Sequence, residues 1–113
     1  MHEISLCQNM LRVIEEQASA HGYRKVVVVS LEVGALAGVE VEALRFGFDV
    51  VMKDSIAEGA RLDVTVRPAL AWCDACSRQV EVAQRWQPCP LCGGHGLQIE
   101  EGEALLIKEL EVE

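Results

Sequence analysis

The chain has 113 residues, half of them apolar, and a formal net charge of -8 at pH 7. That length is enough for one domain, and the excess of acidic side chains disfavours a nucleic-acid partner, whose phosphates are also negative. No apolar run approaches the roughly 18–20 residues of a membrane span, and no basic start precedes an apolar block. We therefore expect no membrane segment, no signal peptide and a cytoplasmic location.

The first predicted element is an amphipathic helix over residues 4–21. Apolar side chains recur there at spacings of three and four, which places them on one face. His21-Gly22 is a plausible end, because glycine accepts the left-handed conformation that closes many helices. The residues of this apolar face are Ile4, Cys7, Leu11, Ile14 and Ala18.

A strand and a second helix follow. Residues Lys25–Gly34 contain four consecutive valines, and an unbroken β-branched run is typical of a strand covered on both faces. Gly34–Gly38 is predicted as a loop. Residues 40–53 return to helical spacing, although Gly47 within them costs about 1 kcal/mol relative to alanine.

The second half of the chain holds two further strands around a compact unit. Leu62, Val64 and Val66 alternate with polar residues, so Arg61–Val66 is predicted as a strand that Pro68 ends or marks as an edge. Ala104–Glu113 is predicted as a closing strand.

These elements predict an α/β (α+β) fold in which two helices pack on a small three-stranded sheet, with an inserted zinc-ribbon-like unit. The expected domains are residues 1–70 plus 103–113, and residues 71–102.

The cysteines give the strongest chemical signal. Five are present, and an odd number in a reducing compartment argues against a disulfide framework. Cys73 and Cys76 form one CxxC pair, and Cys89 and Cys92 form another. Two such pairs joined by a short hairpin can complete a tetrahedron of thiolates around Zn²⁺. Gly93 follows where a tight turn at the metal would need glycine.

Several interpretations of this unit stay open. A closed site of four thiolates has no position for chemistry, which favours a structural zinc, although a zinc that senses metal loading or pH is an alternative. A redox CxxC is disfavoured, since it would need one pair between a strand and a helix rather than two pairs in a Gly- and Pro-rich unit. His95 is a spare ligand, a hydrogen-bond donor to one of the ligands, or an exposed side chain. Cys7 is predicted to be a buried small hydrophobe.

The opening residues Met1, His2 and Glu3 could form a chelate without help from a fold. The α-amine and the His2 amide can close a five-membered ring on a metal. That amide and the imidazole can close a six-membered ring, and the Glu3 amide or carboxylate could fill a fourth position. Such tetragonal N/O ligation suits Ni(II) or Cu(II). The alternative is an ordinary frayed helix start, where a carboxylate is favourable anyway.

The combination of "MHE" at the start, "LCQ" in a helix, "LEVGALAGVE" and two CxxC pairs resembles the HypA/HybF family of nickel metallochaperones. The resemblance covers nearly the whole chain. It implies transient Ni(II) binding by Met1, His2 and Glu3 in the first domain, with the acidic residue Glu40 also implicated. It also implies structural zinc on the four paired cysteines, so that residues 71–102 are the zinc-binding domain. It further implies delivery of nickel, with a HypB-type GTPase, to the large subunit of [NiFe]-hydrogenase.

Two other classes of function compete with a nickel carrier. A zinc-ribbon module for protein–protein interaction would need no N-terminal chelate, so a change of His2 would separate it from a nickel carrier. An enzyme is not expected, because the sequence offers no nucleophile with a base, no phosphate loop and no open zinc position. The sequence leaves open whether the chain forms a homodimer and which hydrogenase it serves.

Overall fold

The computed structural model describes residues 3–113. The predicted helices and strands are confirmed, with ends that shift by one or two residues. Three short strands between Ala69 and Glu101 were not predicted individually. The elements in chain order are α1 (Glu3–His21), β1 (Val26–Gly34), α2 (Val41–Met52), β2 (Arg61–Arg67), β3 (Ala69–Cys73), β4 (Arg78–Val82), β5 (Leu97–Glu101) and β6 (Leu105–Val112).

The strands form two three-stranded sheets. One has the order β2-β1-β6 and the other has the order β4-β3-β5. The pairing of β6 with β1 confirms that the chain returns to the first sheet after the cysteine-containing segment. The predicted α+β class, with two helices and an inserted zinc-ribbon-like unit, is therefore confirmed, and the second sheet is an addition to it.

The first of two compact units, here called the helical unit, contains the described residues up to Leu31 together with Val39–Val64 and Ile107–Glu113. Helix α1 buries Cys7, Met10 and Ile14. It ends as expected: Gly22 has φ 75° and its N–H donates to the Ala18 carbonyl at 2.8 Å.

Close packing of the two helices explains the glycine within α2. A Cβ atom at Gly47 would lie 3.0 Å from Ile4 Cδ1 and 3.5 Å from Cys7 Sγ. The thiol of Cys7 also lies 3.5 Å from the Leu44 carbonyl oxygen, across the same contact. Glycine at this position therefore costs some helix stability, but it allows the two helices to pack at a short distance.

The second unit, here called the ribbon unit, contains Glu32–Gly38 and Thr65–Leu106. In it β3 pairs antiparallel with both β4 and β5. Every second residue of β3 is buried, and the core is made of small side chains. Its buried members are Leu36, Ala69, Ala71, Cys73, Val80, Val82 and Cys89.

The ribbon unit is larger than the predicted domain of residues 71–102, since residues 32–38, 65–70 and 103–106 also belong to it. Strands β1, β2 and β6 contribute residues to both units. The assignment of nickel and zinc to separate domains stays a prediction.

Within residues 3–113, neither helix combines the length and the apolar character that crossing a bilayer requires.

Candidate metal centre

The first cysteine pair lies on the turn of a hairpin. Cys73 ends β3 and Cys76 lies in the turn before β4. Ser77 closes this turn with φ 50°, its N–H donating to the Asp74 carbonyl at 3.3 Å. The Trp72 indole N–H donates to the Asp74 carboxylate at 2.9 Å. These local bonds fix the backbone between the two cysteines.

The second pair lies on a tight turn stabilised by backbone hydrogen bonds. Cys89 N–H donates to the Gly94 carbonyl, and Gly93 N–H donates to the Cys89 carbonyl, both at 2.8 Å. Gly93 has φ 74°, which confirms the predicted need for glycine at this turn. The Leu91 N–H points at the Cys89 sulfur from 3.4 Å.

These amides change the acidity of the Cys89 thiol. The N–H of Cys92, and to a smaller extent that of Leu91, outweighs the effect of burial and lowers the pKa of Cys89 to about 7. Without a metal, hydrogen bonding to Cys92 raises the pKa of Cys76 to about 12. A metal that binds all four sulfurs must therefore displace protons, so binding weakens as the pH falls.

The turns bring the four sulfurs to one point, as predicted. The Sγ atoms of Cys73, Cys76, Cys89 and Cys92 all lie within 4.8 Å of one another. The distance from Cys73 to Cys92 is 3.7 Å, and that from Cys76 to Cys89 is 3.9 Å. A tetrahedral zinc with bonds of about 2.3 Å needs sulfur–sulfur distances of about 3.8 Å. The cluster is therefore compatible with a Cys₄ zinc site.

His95 lies outside this cluster. It is exposed, and it lines a small cavity of about 150 Å³ with Trp86, Leu97 and Ile99. Within the described part of the chain, the four cysteines alone form a group of three or more ligand side chains, so His95 is not a member of it.

The residues predicted to bind nickel fall into two groups. Met1 and His2 lie outside the described residues. Glu3 begins α1, and its carboxylate Oε2 accepts a hydrogen bond from the backbone N–H of Glu40 at 3.4 Å. Glu40 is the N-cap of α2, where its own carboxylate accepts from Glu42 N–H at 3.2 Å. The fold thus brings Glu3 and Glu40 together.

Sequence reasoning missed two features next to the cysteines. One is β3, whose alternation of buried Ala69, Ala71 and Cys73 is a weak signal because alanine has little strand preference. The other is the hydrogen bond from the Trp72 indole to the Asp74 carboxylate. The position of Asp74, a polar residue directly after Cys73, could have indicated it.

Fold and site together define a small α+β protein with a zinc-ribbon-like cluster of four cysteines. A family model described as hydrogenase/urease nickel incorporation, metallochaperone, hypA matches residues 1–112. The hydrogenase maturation factor HypA 2 of Bradyrhizobium diazoefficiens is 48% identical over 113 residues, which are 100% of both chains. HypA of Azorhizobium caulinodans is 51% identical over 112 residues, 99% of each chain. This chain belongs to the HypA family, the metallochaperones of nickel incorporation for hydrogenase maturation.

A solved structure supports the fold. The solution structure of the Ni metallochaperone HypA from Helicobacter pylori has a TM-score of 0.73 to this chain, with 22% identity. The match covers 99% of this chain and 97% of that one. The family predicted from the sequence is confirmed by the family model and by the two hydrogenase maturation factors.

Proposed function

We propose that this protein binds Ni(II) at its N-terminus and delivers it to the large subunit of [NiFe]-hydrogenase with a HypB-type GTPase. The ligands are the Met1 α-amine, His2 and Glu3, with Glu40, which lies beside Glu3, as a further acidic residue of the site. The observation that carries the proposal is the hydrogen bond from Glu40 to the Glu3 carboxylate. It joins residues 37 positions apart, so the start of α1 has an acidic neighbour that the local sequence does not supply.

The placement suits a carrier. A ligand set at a chain terminus can pass to an acceptor without the unfolding of any helix or strand. Nitrogen and oxygen ligands bind nickel less tightly than copper under the Irving–Williams order, so contact with the partner must supply the selectivity. The relatives named hydrogenase maturation factor favour a hydrogenase as the acceptor.

Zinc has a separate role in this proposal. The four cysteines hold Zn²⁺ as a structural ion, because a site closed by four thiolates leaves no position for a transferable ligand. Zinc would then stabilise the ribbon unit, whose core of small side chains is slight. Nickel, which suits N/O ligands, would stay at the other site. The alternative of a zinc-ribbon module without nickel traffic is not favoured, because the matching family is one of nickel incorporation.

A nickel titration by calorimetry on tag-free, zinc-loaded protein tests the proposal. We expect about one nickel at micromolar strength for the wild type, and loss of that binding both in His2→Ala and after N-terminal acetylation, since each removes one ring of the chelate. His21→Ala is the matched control, because His21 lies exposed at the far end of α1. Equal binding by all four proteins would contradict an N-terminal nickel site.

A further inference from the structure

The ribbon unit contains a groove that neither metal site uses. Its volume is about 640 Å³, which lies within the range of ligand-binding clefts, about 300–1,000 Å³. Apolar side chains of Pro68, Leu70 and Leu106 line it. We call this feature the acidic groove, for the four glutamates that also line it: Glu32, Glu100, Glu101 and Glu103.

Two glycines form part of its wall and fix its shape. A Cβ atom at Gly34 would lie 2.1 Å from the Gly102 carbonyl oxygen, and one at Gly102 would lie 2.5 Å from Ala69 Cα. Gly102 also has φ 108°. No other residue type fits either position without a shift of the backbone. The backbone at Gly34, Gly102 and Ala69 therefore packs here without space for a side chain at either glycine.

A β-bulge shapes the rim. Leu70 pairs with Glu101, whereas Ala71 pairs with Ile99, so Glu100 is the extra residue on β5. A bulge bends its strand and redirects the side chains next to it. Glu100 and Glu101 are both exposed and both line the groove, and β5 is an edge strand of its sheet.

The charge of the groove is strongly negative. Among the described residues that line it, Arg67 is the one cation, and it pairs with Glu32 at 2.8 Å. Glu103 pairs with Arg85, and Glu100 accepts from the Gln79 amide at 3.0 Å. The four carboxylates that line the groove outnumber the one cation that lines it, and such an excess of negative charge favours a cationic occupant.

We propose that the acidic groove binds an extended lysine- or arginine-rich segment of a partner protein. The long apolar stems of these side chains would lie on Pro68, Leu70 and Leu106, and the cationic ends would meet the carboxylates at the rim. A bare metal ion is not the occupant, because these glutamates do not form a group of metal ligands. This proposal goes beyond nickel binding and does not depend on it.

The test is an NMR titration of the ¹⁵N-labelled, zinc-loaded full chain with the blocked peptide KLKLKL, and with QLQLQL as the uncharged control. We expect saturable shifts of backbone amides in residues 67–70 and 100–106 with KLKLKL, and none with QLQLQL. The affinity should fall at least about fivefold when the salt rises from roughly 50 to roughly 300 mM, because exposed charges are screened. Equal shifts with both peptides, or no saturation, would overturn the proposal.

Charge reversal separates the groove from acidic surface in general. The double variant Glu100→Lys/Glu101→Lys should lose at least about tenfold in affinity for KLKLKL. The matched control is Glu109→Lys/Glu111→Lys, which makes the same change at exposed sites of β6 outside the groove and should lose less than about twofold. Equal losses of affinity in the two variants would mean that the peptide responds only to the net charge of the protein, and this would refute a binding site in the groove.

Folding and nickel binding are monitored in the same samples. Full zinc content and an unchanged amide spectrum outside residues 97–106 show that a variant is folded. If the lysine double variant is not folded, the milder Glu100→Gln/Glu101→Gln is used in its place. Nickel affinity should stay unchanged in each. Because peptide and nickel are titrated separately, failure of the groove proposal and failure of the nickel proposal give different results.

Discussion

Cys7 illustrates how the environment of a residue changes its chemistry. Its side chain has 0% exposure on α1, which confirms the prediction of a buried small hydrophobe. Burial, and secondly the negative charge of Glu3, raises the pKa of the Cys7 thiol to about 11. The neutral thiol is the favoured form in the folded protein, so Cys7 is not available as a thiolate ligand or nucleophile near neutral pH.

We therefore predict that Cys7 resists alkylation in the folded, zinc-loaded protein. At pH 8 the thiolate fraction is about one in four for an ordinary thiol of pKa about 8.5 and about one in a thousand at a pKa of about 11, so iodoacetamide should react at least about a hundredfold more slowly. Mass spectrometry of the peptide containing Cys7 measures the rate, and the same protein in guanidinium is the control. Equal rates in the two states would contradict the prediction.

Glu40 has a structural role that must be separated from its proposed place beside nickel. Its carboxylate caps α2 by accepting from Glu42 N–H. We predict that Glu40→Ala lowers the free energy of unfolding by about 1 kcal/mol, whereas Glu40→Ser retains the cap. Denaturant unfolding of the two variants measures the difference.

Nickel titration of the same pair tests the second role. If the carboxylate of Glu40 contributes to nickel binding, both variants lose affinity, although only the alanine variant loses stability. Full affinity in the serine variant would show that Glu40 is a helix cap alone.

At the scale of elements, close approach explains three of the glycines. Gly47 lets α1 and α2 pack closely, with Ile4 and Cys7 at the contact. Gly34 and Gly102 let β1 and the segment before β6 meet, where the N–H of Gly34 donates to the Ala104 carbonyl at 2.8 Å. Each of these glycines is therefore required by a tertiary contact.

We predict that Gly34→Ala and Gly102→Ala each lower the free energy of unfolding by more than about 2 kcal/mol, because the added Cβ collides with backbone atoms that cannot rotate away. Gly96→Ala is the matched control: nothing lies within 4 Å of its Cβ position and its φ is not in the left-handed region, so we expect little change. Chemical denaturation measures all three. Similar stability of the three variants would mean that the close approach at Gly34 and Gly102 is readily relaxed.

At the scale of the whole molecule, the two compact units differ in what stabilises them. The helical unit buries large side chains, among them Ile14, Leu44 and Phe48. The ribbon unit has a core dominated by alanine, valine and cysteine, which buries less apolar surface per residue. A small unit with a slight core usually needs a metal or a cross-link.

Removal of zinc should therefore affect the ribbon unit most. After chelation we expect the amide signals of β3, β4 and β5 to lose their dispersion, while the circular dichroism of α1 and α2 at 222 nm falls by less than about half. The double variant Cys73→Ser/Cys76→Ser should reproduce this state without a chelator. Unchanged amide signals of residues 69–82 in protein that is free of zinc would contradict a structural role for the metal.

The sequence by itself determined the parts of this protein that depend on local spacing. Both helices, the strands β1, β2 and β6 and each CxxC pair follow from periodicity and from short motifs, because each involves residues that are near neighbours in the chain. The Cys₄ cluster and the family follow from the combination of such motifs. The strands of the ribbon unit were not predicted individually for two reasons. The alanines of β3 have little strand preference. The strands β4 and β5 alternate, but each has only five residues with two apolar positions.

Only the tertiary structure decided which distant residues meet. The contact between Glu3 and Glu40, the approach of Gly34 to Gly102, and the acidic groove all join positions tens of residues apart. No local propensity encodes such contacts, because they form only when packing closes the long loops between them. The glycines give a second example. A glycine in the sequence indicates only that the backbone is free to adopt many conformations, and only the tertiary structure shows whether a turn or a neighbouring backbone requires glycine at that position.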